Sequence, residues 1–252
     1  MNIAKRVAFW IGLFAFSLGA AGVSFAQSSG VGLEAMTGPS PFLVDTNGDA
    51  VVDAVRGRIV LSESADPAEV TSAANLAARL GYETAAADLD PIVRRTDLGS
   101  PVDRPVILVG GAASGVDWEA GAAPPLGPGQ GRVAVVAPSE QYQAGAVVVA
   151  GGDASGLLAA ANYASGRLPS LWALDGLTIE DALDTVRDTL AGRELAVDTV
   201  RARHVTVGRD RSGVHTLGIR IDVGSDAAAE AVASALRAKD GTKDGHPLHI
   251  PN

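Results

Sequence analysis

Hydrophobic positions along this chain switch between two periods, and the switches mark its elements. Strands are read at Arg56-Gly57-Arg58-Ile59-Val60-Leu61, Arg132 to Ala137 and Ala146 to Ala150, and a continuous apolar run occurs at Pro105 to Val109. Short runs of this kind, bounded by turn residues, read as strands buried on both faces. The connection Pro138 to Gly145 is too short for a parallel crossover, which needs about a dozen residues. The strands on either side of it are therefore expected to pair antiparallel. Pro41 to Val44 reads as a short strand, Glu83 to Ala87 as a weak one, and Ala120 to Gln130 as loop.

Helical spacing appears between these runs. Asp66 caps a helix with Pro67 in its first turn; Val70, Ala74, Leu76, Ala77 and Leu80 form its apolar stripe, and Gly81 stops it. Ser155 to Arg167 reads as a small-residue helix ended before Pro169. Thr178-Ile179-Glu180-Asp181 has the form of a capping box, followed by Ile179, Ala182, Leu183, Val186 and Leu190 on one helical face up to Gly192. Thr199 to Val207 and Val214 to Val223 alternate as strands, and Asp226 opens an Ala-rich helix to Ala238. The expected class is α/β (α+β): a mixed sheet with packed helices, followed by a small ββα module.

The ends add a compartment. Lys5-Arg6, the apolar run Val7 to Val23, and the small residues Ser24 and Ala26 predict a signal peptide over 1–26. A flexible tether over 27–40, an α/β domain over 41–172, a helix plus ββα module over 173–238 and a disordered tail over 239–252 would follow. The protein is expected to be periplasmic or secreted, with no membrane association after cleavage. Loss of the leader takes two positive charges with it, so the formal net charge moves from −9 to −11. Such a chain is repelled by nucleic acid and by anionic membranes. With no cysteines, disulfides, thiolate catalysis and thiolate-bound zinc are excluded.

One stretch carries specific chemistry. Asp45, Asn47, Asp49 and Asp53 place oxygen-bearing side chains at positions 1, 3, 5 and 9 of a loop, and Val51 offers its carbonyl at position 7. Hard cations take such oxygen ligands, so a structural Ca2+ is the expected cofactor. The pattern resembles the short calcium loops of dockerins and thrombospondin type 3 repeats. It departs from a full EF-hand at position 6, Ala50 in place of glycine, and at position 12, Arg56 in place of an acid. The alternative is a tight Asn47-Gly48 hairpin turn flanked by solvated aspartates.

Other signals are weaker. Val106 to Gly115 and Val147 to Gly156 echo each other as strand, Gly-Gly turn and A-S-G. Neither has the G-x-G-x-x-G spacing of a dinucleotide site, so close packing is the simpler reading. His204 and His215 face each other across the expected hairpin without a third metal ligand in view. No G-x-S-x-G elbow occurs, so no catalytic residue is assigned.

Arg58 to Leu61, the helix from Pro67 to Gly81, Val106 to Gly110, and above all Ala146 to Ala161 resemble the noncatalytic N-terminal α/β domain of bacterial β-hexosaminidases and α-glucuronidases. The resemblance covers about residues 56–172. In that family a catalytic barrel follows; none follows within these residues, so its activity is not implied. Ile219 to Ser225 carries a fainter likeness to peptidoglycan-binding SPOR domains. The expected role is an exported noncatalytic accessory protein that meets cell-surface glycan or another exported protein. The alternative is a secreted carbohydrate-active hydrolase whose carboxylates assemble only in the fold.

Overall fold

The apolar runs become the middle of one sheet. The computed structural model describes residues 9–11, 33, 42–85, 91–116, 118, 125–171, 174–195, 200–209, 215–223, 228 and 230–232. Its strands are β1 (Phe9–Ile11), β2 (Leu43–Val44), β3 (Ala54–Val55), β4 (Arg58–Leu61), β5 (Ile92–Arg94), β6 (Val106–Val109), β7 (Gly131–Val136), β8 (Ala146–Gly151), β9 (Arg201–Arg209) and β10 (His215–Asp222). Its helices are α1 (Pro67–Tyr82), α2 (Ala154–Gly166) and α3 (Ile179–Ala191). Eight strands form a mixed sheet in the order β1-β10-β9-β7-β8-β6-β4-β5, and β2 and β3 form a separate hairpin. Strands β5, β4, β6 and β8 run parallel, whereas β7 is antiparallel to both β8 and β9. The expected antiparallel pairing across Pro138 to Gly145 is therefore present. The β9–β10 hairpin is hydrogen-bonded to β7 and extends the same sheet.

The two faces of the sheet are covered differently. Ile59, Leu61, Ile107, Val109, Val133, Val135, Val147 and Val149 point into one core with Leu76, Leu157, Ala160, Leu183 and Val186 of the three helices. Val60, Leu108, Val136, Val148 and Ala150 point the other way, where Val102, Ala112, Ala113 and Tyr142 cover them from loops and a 3-10 turn. Leu33, inside the expected tether, is fully buried in the first core. Among the described residues no helix is long and apolar enough to cross a membrane.

Glycine sets how close α2 lies to the sheet. A Cβ at Gly156 would overlap the Gln130 carbonyl oxygen, and one at Gly131 would overlap the Gly156 carbonyl. Backbone thus rests on backbone where α2 begins. The first turn is closed by Asp153, which accepts from the Gly156 amide at 2.8 Å. Helix α1 then packs on α2: Asn75 donates to Asn162 at 2.8 Å, and Arg79 donates to the carbonyls of Ser165 and Leu168 near the end of α2. A cation there meets the negative end of the helix dipole.

Several local expectations shift. Helix α1 runs one residue past Gly81, and its buried positions are Glu69, Ser72, Ala73 and Leu76, whereas Val70 is 48% exposed and Ala74 is exposed. Glu69 turns the helix, because its carboxylate is drawn to Ser62 and Gly111. The strand expected at 83–87 is absent over its described part. Thr84 and Ala85 bond to the Val52 carbonyl instead, and the edge strand forms at Ile92–Arg94. Asp226 lies outside the described residues, although residues 228 and 230–232 are helical. The Thr178 capping box is present, with Asp181 as its acidic member.

The packing at Gly156 predicts a sharp response to one methyl group. Overfilling a close-packed contact costs about 1–3 kcal/mol; here the obstacle is backbone, so Gly156→Ala should reach at least the upper end. Urea unfolding should show a lowered midpoint with an unchanged slope, and a wild-type midpoint would refute the contact.

Candidate functional site

Both Gly-Gly turns lie at the carboxyl ends of parallel strands, where α/β sheets commonly take ligands. Here the chain fills those places itself. At the first turn Glu69, 7% exposed, accepts from Ser62 Oγ at 2.6 Å and from the Gly111 amide. Gly110 has φ +54, and a Cβ there would strike the Glu69 carboxylate. At the second turn Asp153 accepts from Gly156 and, at 3.0 Å, from Gly129, while the Gly152 amide donates to Gln130. Carboxylates of the protein occupy amides that a phosphate would otherwise use. The close-packing reading of the glycines accords with this geometry.

The acidic loop joins the β2–β3 hairpin. Asp45 Oδ1 accepts from the amides of Asn47 and Gly48, and Oδ2 accepts from Ala50 at 2.8 Å. Asn47 accepts from the Asp49 amide and Asp49 from the Val51 amide, each at 2.9 Å. Three successive side chains therefore fold inward as Asx turns. The Gly48 amide above all, then those of Ala50, Asn47 and Asp49, hold the Asp45 carboxyl below its ordinary range. Ala50 has φ +67, the left-handed conformation that glycine normally supplies at position 6 of a calcium loop. Asp53 departs from that pattern: both its oxygens accept from Thr46 Oγ1, at 2.9 and 2.8 Å. Among the described residues no group of three or more His, Asp or Glu side chains is placed to hold a metal. The front half of the loop carries oxygens of the kind a hard cation takes, each accepting a hydrogen bond from within the loop, and the rear half is tied to Thr46.

A third constellation comes from the face of β7, β9 and β10 turned away from α1, α2 and α3, the helix-free face, which carries no α-helix among the described residues. His204 lies opposite Ala134 on one side and Arg220 on the other. It does not face His215, whose register partner is Arg209, so the two histidines are not a cross-strand pair. The register slips between Arg220 and Ile221, leaving Arg203 as the extra residue of a bulge. Ala202, Val205 and Val207 stay in the helical core while Arg203, His204 and Thr206 are only partly buried. Arg203 Nε donates to Asp222 at 2.6 Å, and Arg220 Nε reaches the other oxygen of Asp222 at 3.4 Å. On β7, beside Thr206, Arg132, 2% exposed, donates to Thr206 Oγ1 at 3.0 Å, and its guanidinium carbon is 5.8 Å from the centre of the Trp118 ring.

His204 reports the field at this face. Burial first, then the charges of Arg132 and Arg220, push its pKa down to about 3, against the smaller opposing effect of Asp222. The alternation of β9 and β10 was readable in the sequence, and it places 204, 206, 220 and 222 on one side. The strand order that joins them to Arg132, and the bulge that adds Arg203, have no local signal.

The unfolded chain holds an imidazole near pH 6.5, so it binds a proton that the folded chain refuses. The contribution of His204 to stability is intact above about pH 6.5 and is lost as the pH falls toward 3. His204→Gln should therefore lose less stability than wild type between pH 7 and pH 4 in urea unfolding; parallel losses would show an ordinary imidazole. No protein-family model matches the chain, and a search of curated proteins gives no match.

Proposed function

We propose that this chain is an exported, noncatalytic interaction module that holds a cell-surface glycan or another exported protein on the helix-free face of its sheet. One observation carries the reading. Arg203, His204, Thr206, Arg220 and Asp222 lie side by side on neighbouring strands, partly exposed, with the buried Arg132 of β7 next to Thr206. Side chains fixed on strands lose little freedom when a ligand arrives, so their contacts convert efficiently into affinity. The basic start and apolar run of residues 1–26 support export, although Phe9–Ile11 of that run pair with β10 in the sheet, and the resemblance over residues 56–172 supports an accessory role.

Passing the full chain over cell-wall and glycan fractions and over exported-protein extracts tests this. Retention should fall when Arg203 and Arg220 are both replaced and should persist when Glu180 and Asp184, on the exposed side of α3, are replaced. Retention indifferent to the arginine pair would place binding elsewhere.

Calcium belongs to the same proposal as a structural clip. Asp45, Asn47, Asp49 and the Val51 carbonyl would hold it, with Asp53 released from Thr46 as a further ligand. It would supply charge neutralisation and stiffness to the hairpin that precedes β4. Ligand binding to the folded state raises the melting temperature by mass action. Millimolar calcium should raise it, magnesium should do so less, and chelator should reverse the effect. Ala50→Gly relieves a left-handed conformation costing about 1–2 kcal/mol and gives back about 0.4–1 kcal/mol through the freer unfolded chain. The variant should melt higher than wild type and respond to less calcium. Calcium-blind melts of both proteins would remove the ion from the account.

A further inference from the structure

The charge of the helix-free face runs against that of the protein. The chain carries a formal net charge of −9, yet Arg203 and Arg220 pair with Asp222 here, and a third arginine, Arg132, lies on the same face of the adjoining strand β7. Strands β7 and β10 are separated by β9, two interstrand spacings or about 10 Å, and Arg220 is set two residues further along than Gly218, which is level with Arg132. Each guanidinium presents five donors in a planar fork suited to carboxylates. Arg203 commits its Nε to Asp222 and is 33% exposed, so its fork is within reach of solvent. Arg132 is held by Thr206 beside it on β9 and by the Trp118 ring, and adds a charge that does not move. The bulge brings Arg203 beside His204, and bulges recur where a side chain has to be re-aimed at a site.

From this juxtaposition we infer that the face binds an anionic polysaccharide, docking sugar carboxylates on Arg203 and Arg220 with Arg132 supplying fixed charge from β7 alongside. The inference rests on the reading that this face is the binding face, and it adds the chemical class of the ligand. Spaced carboxylates suit the site better than a dense polyanion. A nucleic acid duplex or an anionic membrane extends well beyond three strands and meets the negative field of the remaining surface. A sugar chain with single carboxylates at intervals engages the arginines locally and leaves neutral rings over the rest. The imidazole of His204, kept uncharged, can accept or donate a hydrogen bond to a hydroxyl between them.

The test uses the full chain on immobilised polygalacturonate, with neutral dextran and dextran sulfate alongside. Polygalacturonate should retain the protein, neutral dextran should not, and added salt should weaken the retention. Arg203→Gln with Arg220→Gln should weaken binding at least about tenfold, since charge-assisted paired bonds are lost. Arg203→Lys with Arg220→Lys should recover only part of it. A readout on the unaltered protein guards against misfolded variants: a bound carboxylate offsets the arginine charges, so the His204 resonance should titrate at higher pH with galacturonate oligomers present. Equal retention by neutral dextran, lost in the glutamine variant, would keep the face and overturn the anionic class. Stronger retention by dextran sulfate would replace spaced carboxylates with simple charge density and overturn the proposal. Retention by none of the three, with an unmoved His204, would overturn it as well. A protein still captured by cell-wall fractions would then separate that failure from failure of the interaction reading itself.

Discussion

The contact between the first turn of α2 and the backbone of β7 is the constraint on which the other packing rests. Gly131 and Gly156 leave no side chain between helix and strand, so the helix axis has one available height above the sheet. Once α2 is seated, Asn162 and the carbonyls of Ser165 and Leu168 are fixed in place for Asn75 and Arg79, and α1 can dock. The Asp153 cap ties the same turn to Gly129, which holds the loop entering β7 against the helix start. A small-residue composition that looks featureless along the chain therefore encodes a specific distance.

Much of the architecture was legible because it is local. Continuous apolar runs gave β6, β7 and β8, the short connection gave the antiparallel step, and Asp66, Pro67 and the Thr178 capping box marked helix starts. The misreadings share a cause. Val70 and Ala74 fit an apolar stripe by spacing, but Glu69 turns α1 toward Ser62 and Gly111, and those partners are distant in sequence. Residues 83–85 have strand-like composition but are held by Val52. The acidic loop was legible as a set of donors, since its spacing is contained in nine residues. That Asp53 would turn to Thr46, and that Ala50 would accept a left-handed backbone, depends on side-chain geometry that spacing does not express. The arginine face was the least legible, because it draws on three strands whose order in the sheet is not written in any one of them.

The distribution of charge explains why the sheet presents that face. An acidic protein has carboxylates to spare, and this one sets the buried Glu69 on the Gly111 amide and the exposed Asp153 on the amides of Gly129 and Gly156. The strand ends that usually host ligands are thereby closed by the protein's own groups. The cations gather on the opposite layer, where Arg132 is buried and His204 is kept neutral by burial and by its arginine neighbours. One side of the sheet is sealed by helices and the other keeps its polar groups within reach.

The unequal covering of the two layers has a bearing on how such a protein can change. On the helical side any added atom near Gly156 displaces backbone, so that layer has little freedom to vary. On the other side the lid over Val60, Leu108 and Val148 is made of connecting segments: 95–105, 110–116 and 138–145. Surface connections accept insertions far more readily than the elements they join. Lengthening them would build new walls over β4, β6 and β8 without touching the helix seat. New ligand preferences could thus be acquired by loop growth on one side, while the other side preserves the fold through the change.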